Sequence, residues 1–343
     1  MAATSILEIK KMNFPWETQD PFLFCAHHAD DYPEGNSELG PEKGLLAGRR
    51  LGEDFIIKDG WRMYHGQTIP GFPYHPHRGF ETITIAKEGV VDHADSLGAS
   101  GRFSNGDVQW MTAGKGVQHS EMFPLINSDK GNRLEIFQIW LNLPKKQKLV
   151  EPHYKMLWSE DVPIISEMDE QGKETNITLI AGNYKDTPAP QPTPNSWAND
   201  PENEVRVWTI KIEANSKWTL PKAGSQVNST LFFYDGDSLI IENQEVKNYH
   251  SIEVNSLEDV QITAGQTDCF LLLLQGRPIN EPVAKYGPFV MNTQQEIQQA
   301  FADYQRTQFG GWPWDRSDVV HNRTKPRFAK YANGKEESKI PLG

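Results

Sequence analysis

Two short stretches of this chain each carry a pair of side chains that can bind a metal ion, separated by a single residue. The pairs are His75 with His77, and His119 with Glu121. On a β-strand, residues i and i+2 point to the same face of the sheet. If both stretches are strands, three imidazoles and one carboxylate can converge on one ion. This donor set suits a borderline transition metal and fits Fe(II) chemistry with room for an added ligand.

A lone His-x-His pair is most often just two polar residues on a solvated strand. Here two pairs occur, and each lies among turn-forming glycines and apolar residues, which favours the metal site. Glu81 follows His77 by four residues, and alternation from the first pair places it on the same face. It can be a fifth ligand, an acceptor for a histidine N–H, or a surface charge, and these alternatives stay open.

The elements that must position these residues are predominantly strands. Short segments rich in β-branched and aromatic residues alternate with turn-forming residues, which is typical of an all-β sandwich or barrel. Helix signals are sparse, and the best covers 293–304, where Thr293 can cap the N-terminus and apolar residues recur at helical spacing. The predicted strands are 81–86, 134–141, 176–180, 205–212, 230–233, 238–241 and 269–274.

Composition excludes several classes of function. The chain has 343 residues and a formal net charge of −12, and it lacks a strong basic cluster, so we expect no direct nucleic-acid binding. Its two cysteines, Cys25 and Cys269, are too few for a disulfide-stapled secreted fold or a thiolate zinc site. The N-terminus does not resemble a signal peptide, and the longest apolar run, 269–274, is too short to cross a membrane. The sequence therefore predicts a cytoplasmic protein that has no membrane association.

The length allows two domains. We expect a metal-binding domain over 1–150, a second domain without metal ligands over 151–280, and a helix with an extended tail over 281–343 that packs back on the barrels. A polar, glycine-rich stretch at about 30–52 precedes the first metal segment. It is either a surface insertion, which we favour, or a cover over the mouth of the site.

Several longer motifs go beyond these patterns. They lie at 75–82, 106–116 and 119–122, with further matches at 138–143, 151–152 and 287–293. Together they resemble the signature of the pirins, a family in the cupin superfamily, and the resemblance runs from about 20 to 304. It implies a bicupin, in which two stacked antiparallel β-barrel (jelly-roll) domains carry a metal only in the N-terminal one. The stretch at about 30–52 and the residues beyond about 305 depart from the shorter pirins.

By position, the resemblance implies four metal ligands: His75, His77, His119 and Glu121. Glu81 occupies the usual cupin carboxylate position, but pirins take the carboxylate from the position of Glu121, which leaves Glu81 a supporting or pocket role. Apolar and aromatic neighbours are candidates to line the pocket, although several of them should face the core instead. These candidates are Phe72, Phe80, Trp110 and Met111.

The resemblance also implies an activity, because some pirins are similar to quercetin 2,3-dioxygenase. In this hypothesis an oxidoreductase (a quercetinase) cleaves a flavonol with O₂, and Glu121 is the catalytic residue that takes the flavonol hydroxyl proton. The cofactor is one divalent transition metal, with Fe(II) as the leading candidate and Ni, Mn, Cu or Zn as alternatives.

Two other hypotheses are weighed beside the enzyme. In one, the protein is an iron-dependent redox sensor of the transcriptional co-regulator type, which binds a protein partner without turnover. In the other, the metal serves folding alone. The folding role is less attractive, because closed structural sites favour thiolates and none is nearby in sequence.

Overall fold

The computed structural model of the chain describes residues 5–339, which form two compact units. We call one the apolar unit; it comprises the described residues up to Cys25, together with Trp140–Asn142 and Ser159–Asn280. We call the other the histidine unit; it comprises Ala26–Ile139, Leu143–Trp158 and the described residues from Glu281 onward.

Antiparallel strands dominate residues 5–339, which confirms the all-β prediction. The single α-helix within these residues is α1 (Gln294–Thr307), and short 3₁₀ helices cover Lys43–Leu46, Lys145–Gln147, Ser159–Asp161, Trp197–Asn199, Pro201–Asn203 and Gln308–Gly310. The strands in chain order are β1 (Ile6–Lys11), β2 (Phe22–Tyr32), β3 (Gly71–His77), β4 (Phe80–Glu88), β5 (Val90–Asp95), β6 (Ser100–Ser104), β7 (Val108–Thr112), β8 (Val117–Met122), β9 (Asn132–Asn142), β10 (His153–Leu157), β11 (Ile164–Met168), β12 (Glu174–Ala181), β13 (Arg206–Ile212), β14 (Lys217–Leu220), β15 (Asn228–Asp235), β16 (Ser238–Ile241), β17 (Gln244–Lys247), β18 (His250–Val254), β19 (Val260–Ala264), β20 (Cys269–Gly276), β21 (Ala284–Tyr286), β22 (Phe289–Met291), β23 (Phe328–Lys330) and β24 (Glu336–Ser338).

The local predictions agree with these elements. Each of the seven predicted strands coincides with an observed one, because alternating β-branched and apolar residues suit a pleated, half-buried surface. The predicted helix is also observed, with Thr293 as its N-cap. The Thr293 hydroxyl accepts a hydrogen bond from the Glu296 N–H, and the Glu296 carboxylate accepts one from the Thr293 N–H. This reciprocal capping box satisfies two amide donors that would otherwise lack partners.

Apolar side chains fill the interior of the apolar unit. Its larger sheet has the order β1-β18-β15-β20-β13-β12-β11, and its smaller sheet β14-β19-β16-β17. On the neighbouring strands β15 and β20, Leu231 lies opposite Leu273 and Phe233 opposite Leu271, and all four are fully buried. Burial of each such side chain stabilises the fold by about 1.5–3 kcal/mol. The unit is therefore held together by a packed apolar core.

The histidine unit is built from two larger sheets and the two-stranded sheet β21-β22. A five-stranded sheet has the order β10-β7-β4-β9-β2, and a six-stranded sheet has the order β24-β23-β6-β5-β8-β3. Strand β3 lies at the edge of the second sheet. Proline has no backbone N–H to donate, and an edge strand tolerates this loss at Pro73 and Pro76 because one of its sides has no neighbouring strand. The edge position thus explains how a proline-rich stretch can be a strand.

Both compact units are discontinuous in sequence, and the domain boundary at 150 stays a prediction. The described residues up to Cys25 belong to the apolar unit, because β1 pairs with β18 and places Ile6 opposite Val254. The residues after Glu281 belong to the histidine unit, in which β23 pairs with β6. Among residues 5–339, no helix has both the length and the apolar character that a membrane crossing requires.

Candidate metal centre

Strands β3 and β8 bring the three histidines together. The strands pair antiparallel with His75 opposite His119, and an irregularity between Phe72 and His75 shifts the register. The ring centroid of His75 lies 4.5 Å from that of His119 and 4.7 Å from that of His77. Candidate ligand nitrogens of the three side chains all lie within 4.8 Å of one another. The structure thus brings together the three imidazoles that the sequence singled out.

Backbone carbonyls select the nitrogens that face the cluster. The Nδ1 of His75 lies 2.9 Å from the carbonyl oxygen of Pro73, and the Nδ1 of His77 lies 3.4 Å from that of Pro288. A carbonyl oxygen only accepts, so each Nδ1 carries the proton and each Nε2 keeps its lone pair. This hydrogen-bonding pattern is the usual one behind histidine ligands of metals.

His119 provides the test of whether an ion fits. Its side chain is fully buried, and neither ring nitrogen has a hydrogen-bond partner within residues 5–339. A buried polar atom without a partner costs about 1–3 kcal/mol, and coordination of an ion would remove that cost for one nitrogen. The three imidazoles therefore suit a bound metal.

Burial also keeps the three imidazoles in the form that binds metal. Desolvation lowers the pKa of His75 to about 4, although the Pro73 carbonyl opposes the shift. The pKa of His77 and that of His119 lie well below the usual value. Desolvation is the larger cause, and the neighbouring imidazoles are the smaller one. All three rings are therefore neutral near pH 7, with lone pairs available for coordination.

The carboxylate of Glu121 is buried beside this cluster. Its Oε2 lies 3.9 Å from the Nε2 of His119. Within residues 5–339, the candidate ligand atoms that all lie within 4.8 Å of one another belong to the three histidines and do not include Glu121. The Thr84 hydroxyl donates to Oε1 at 2.9 Å, and the Gln138 side-chain amide donates to Oε2 at 2.5 Å. Burial raises the pKa of the Glu121 carboxyl, while His93 and these two hydrogen bonds oppose the shift.

Glu81 faces away from Glu121. On β4, Thr84 contacts Glu121, so Glu81, three residues earlier, points to the opposite face of the strand. There its Oε1 accepts hydrogen bonds from the Thr112 hydroxyl at 2.7 Å and the Trp110 indole N–H at 3.3 Å. The expectation of a shared face assumed one continuous strand. The chain instead turns at Gly79, with φ of +86°, and the alternation of β3 does not continue into β4.

The predicted pocket residues divide into two groups. Phe72 and Phe80 lie beside the histidines: the Phe72 ring is 6.3 Å from that of His75, and the Phe80 ring is 5.0 Å from that of His77. Phe72 is partly exposed, whereas Phe80 is fully buried.

The other two candidates, Trp110 and Met111, lie on β7. The Trp110 indole turns toward Glu81, as described above, and Met111 packs in a small buried cluster with Ala113 and Val117. Trp110 and Glu81 therefore lie on the same face of the sheet.

His93 is a neighbour of the cluster that the sequence analysis did not single out. It lies on β5 opposite Glu121, and its ring is 5.6 Å from that of His119. The ring stacks on Tyr154 at 4.9 Å, and its Nδ1 lies 2.7 Å from the amide nitrogen of Gln109. A search for buried histidines on strands could have suggested it, but its position depends on the pairing of β5 with β8.

Comparisons with known proteins agree with this fold. The family model Pirin matches residues 44–141, and the model Pirin C-terminal cupin domain matches residues 207–310. The chain is 36% identical over 248 residues to a Pseudomonas aeruginosa protein named "Putative quercetin 2,3-dioxygenase", covering 70% of this chain and 79% of the relative. It is 36% identical over 247 residues to Pirin-1 of Arabidopsis thaliana, covering 70% and 78%.

A solved structure described as quercetin 2,3-dioxygenase from Acinetobacter baumannii is also similar. It has a TM-score of 0.71 and 27% identity, and the match covers 90% of this chain and 99% of that one. Two β-domains with a histidine cluster in one of them define a protein of the cupin class. Within that class, the chain belongs to the pirin family.

Proposed function

We propose that this protein is a mononuclear metal dioxygenase that cleaves flavonols such as quercetin with O₂. The observation that carries the proposal is the convergence of three buried, neutral imidazoles beside a hydrogen-bonded carboxylate. The names of the Pseudomonas and Acinetobacter relatives support the same reaction class. The proposed ligands are His75, His77, His119 and Glu121.

The donor set favours a transition metal over a hard cation. Imidazole suits iron, nickel, copper and zinc, while magnesium and calcium prefer oxygen ligands. We propose Fe(II) as the native ion. When bound, the ion supplies Lewis-acid polarisation of the substrate oxygen and a site for O₂ chemistry.

The protein's own contribution is to move one proton and to exclude water. We assign Glu121 as the base that takes the flavonol hydroxyl proton on a carboxylate oxygen, because burial raises the pKa of this carboxyl and makes it a better acceptor. Thr84 and Gln138 hold the carboxylate in place through their hydrogen bonds. Phe72 and Phe80 provide apolar surface beside the histidines.

The test is an aerobic assay of the purified protein loaded separately with Fe(II), Ni, Mn, Cu and Zn. Loss of quercetin and release of carbon monoxide are followed together, and the metal content is measured in parallel. We expect His119→Ala to lose the metal, and Glu121→Gln to lose at least about 100-fold in turnover. Glu81→Gln is the matched control, since it changes a buried carboxylate on the opposite face of β4. Absence of turnover with every metal would contradict the proposal.

A further inference from the structure

Residues 49–66, which we call the rim segment, form a rigid platform in the histidine unit. The Arg49 side chain is fully buried, and its guanidinium donates to the Asp54 carboxylate at 3.0 Å and to the Trp61 carbonyl at 3.0 Å. It also stacks over the Trp61 ring at 3.3 Å from the centroid. A buried guanidinium held by an ion pair, backbone carbonyls and an aromatic ring resists reorientation, so Arg49 braces the rim segment.

A second buried network anchors the C-terminal part of the rim segment. Arg62 donates two hydrogen bonds to the Asp30 carboxylate, each at 2.9 Å, and the Tyr64 hydroxyl donates to the same carboxylate at 2.6 Å. Tyr64 has a φ of +57°, a left-handed conformation that costs about 1 kcal/mol or more for a bulky residue. The network holds Tyr64 in this conformation and so orients His65, the next residue.

This rigid segment presents apolar side chains to the surface. Phe55, Ile56 and Ile57 are consecutive and have exposed fractions of 40%, 80% and 57%. Contiguous exposed apolar side chains on an ordered surface are characteristic of binding sites. Phe55 is the member of this group with ring contacts toward the metal centre.

Three rings, which we call the aromatic rim, connect this surface to the histidine cluster: Phe55, His65 and Phe72. The Phe55 ring lies 4.9 Å from His65 and 6.4 Å from Phe72. The Phe72 ring lies 5.8 Å from His65 and 6.3 Å from His75. The apolar surface is therefore continuous with the candidate metal site.

His65 adds one polar group to the aromatic rim. Its side chain is exposed, and its Nδ1 lies 2.6 Å from the carbonyl oxygen of Gly52. Because the carbonyl only accepts, Nδ1 carries the proton and Nε2 carries a lone pair. Nε2 can therefore accept a hydrogen bond from a ligand hydroxyl.

From these contacts we infer that the aromatic rim is a substrate subsite for planar, hydroxylated aromatic molecules. Phe55 and Phe72 pack against the rings that extend beyond the metal ligands, and the Nε2 of His65 accepts a hydrogen bond from a phenolic hydroxyl. Ligand pockets are commonly apolar surfaces with a few placed polar groups, which matches this composition. The inference rests on the proposed function, because it takes the flavonol as the molecule that reaches both the metal centre and the rim.

The test measures binding without turnover, by anaerobic fluorescence titration of the metal-loaded protein. The probes are quercetin and 3-hydroxyflavone, which keeps the 3-hydroxy-4-keto unit but lacks the hydroxyls on the outer rings. We expect Phe55→Ala to weaken the binding of both probes about five- to tenfold. We expect His65→Phe, which keeps an aromatic ring, to weaken quercetin about fivefold and leave 3-hydroxyflavone unchanged. Tyr286→Ala, an aromatic residue exposed by 66% on β21, is the matched control.

Wild-type affinity for both probes in Phe55→Ala and His65→Phe would overturn the inference and leave the proposed function standing. A change in oligomeric state in Phe55→Ala, at unchanged affinity, would assign this surface to a second copy of the chain and also overturn it. Rim-dependent binding without aerobic turnover would refute the proposed dioxygenase and support the subsite. Absence of quercetin binding by the wild-type protein would overturn both.

Discussion

Lys148 permits a prediction in which pH is the perturbation. Its side chain is 1% exposed, and its ammonium group donates to the carbonyl oxygens of Gly79 at 2.9 Å and Val290 at 3.3 Å. Desolvation lowers the pKa of Lys148 from 10.5 to about 8, although Glu281 and Glu296 oppose the shift. The folded protein therefore releases this proton at a lower pH than the unfolded chain does.

The sign of the effect on stability follows from this difference. Between pH 8 and 10.5 the unfolded chain holds the proton and the folded protein does not, so the free energy of unfolding rises with pH. The gap between the two pKa values corresponds to about 3 kcal/mol, most of which is gained by pH 10. Lys148→Met removes this titration and also removes a donor from two carbonyls, which costs about 1–3 kcal/mol.

The assay is urea unfolding of the wild type and of Lys148→Met at pH 7, 8, 9 and 10. Titration of all other groups cancels in the difference between the two proteins. We expect the wild type to gain about 2–3 kcal/mol relative to the variant between pH 7 and 10. Lys146→Met, an exposed residue two positions earlier, should show no such change. Parallel pH profiles for the wild type and Lys148→Met would refute the reasoning.

Three further predictions concern the carboxylate, the tail and the helix. Gln138→Leu removes one of the two side-chain donors that hold Glu121, so affinity for the proposed ion should fall about tenfold in a chelator competition; unchanged affinity would contradict this role. In Gly116→Ala, a Cβ at φ of +135° would lie 2.6 Å from the Phe309 ring; we expect a loss of about 1–3 kcal/mol and faster proteolysis after about residue 305, and unchanged cleavage would argue against it. Thr293→Ala should destabilise the protein by about 1 kcal/mol in thermal denaturation, and a wild-type midpoint would exclude the cap.

Local pattern was enough to predict the strands, the helix and the histidine doublets. An i, i+2 pair lies within one strand, so alternation places both members on one face without knowledge of the fold. The helix was predictable because its cap, Thr293, and the apolar residues that recur at helical spacing lie within one local segment. The same argument failed for Glu81, because a turn at Gly79 separates it from the first pair.

The remaining parts of the site depend on pairings that are distant in sequence. His93 reaches the cluster because β5 pairs with β8, and Gln138 reaches Glu121 from β9. The division into units is also non-local, since β1 pairs with β18, which is far from it in sequence. No spacing within a single segment contains this information, because strand register is set by tertiary packing.

The pairing of β23 with β6 has a consequence for biosynthesis. The strands that carry the histidines precede β9 in the chain, but β6 in the same unit acquires its neighbour β23 only after β7 to β22 have been translated. Until then β6 presents an open edge, which invites pairing with other chains. A polypeptide interrupted before β23 therefore exposes this edge of β6 to other chains.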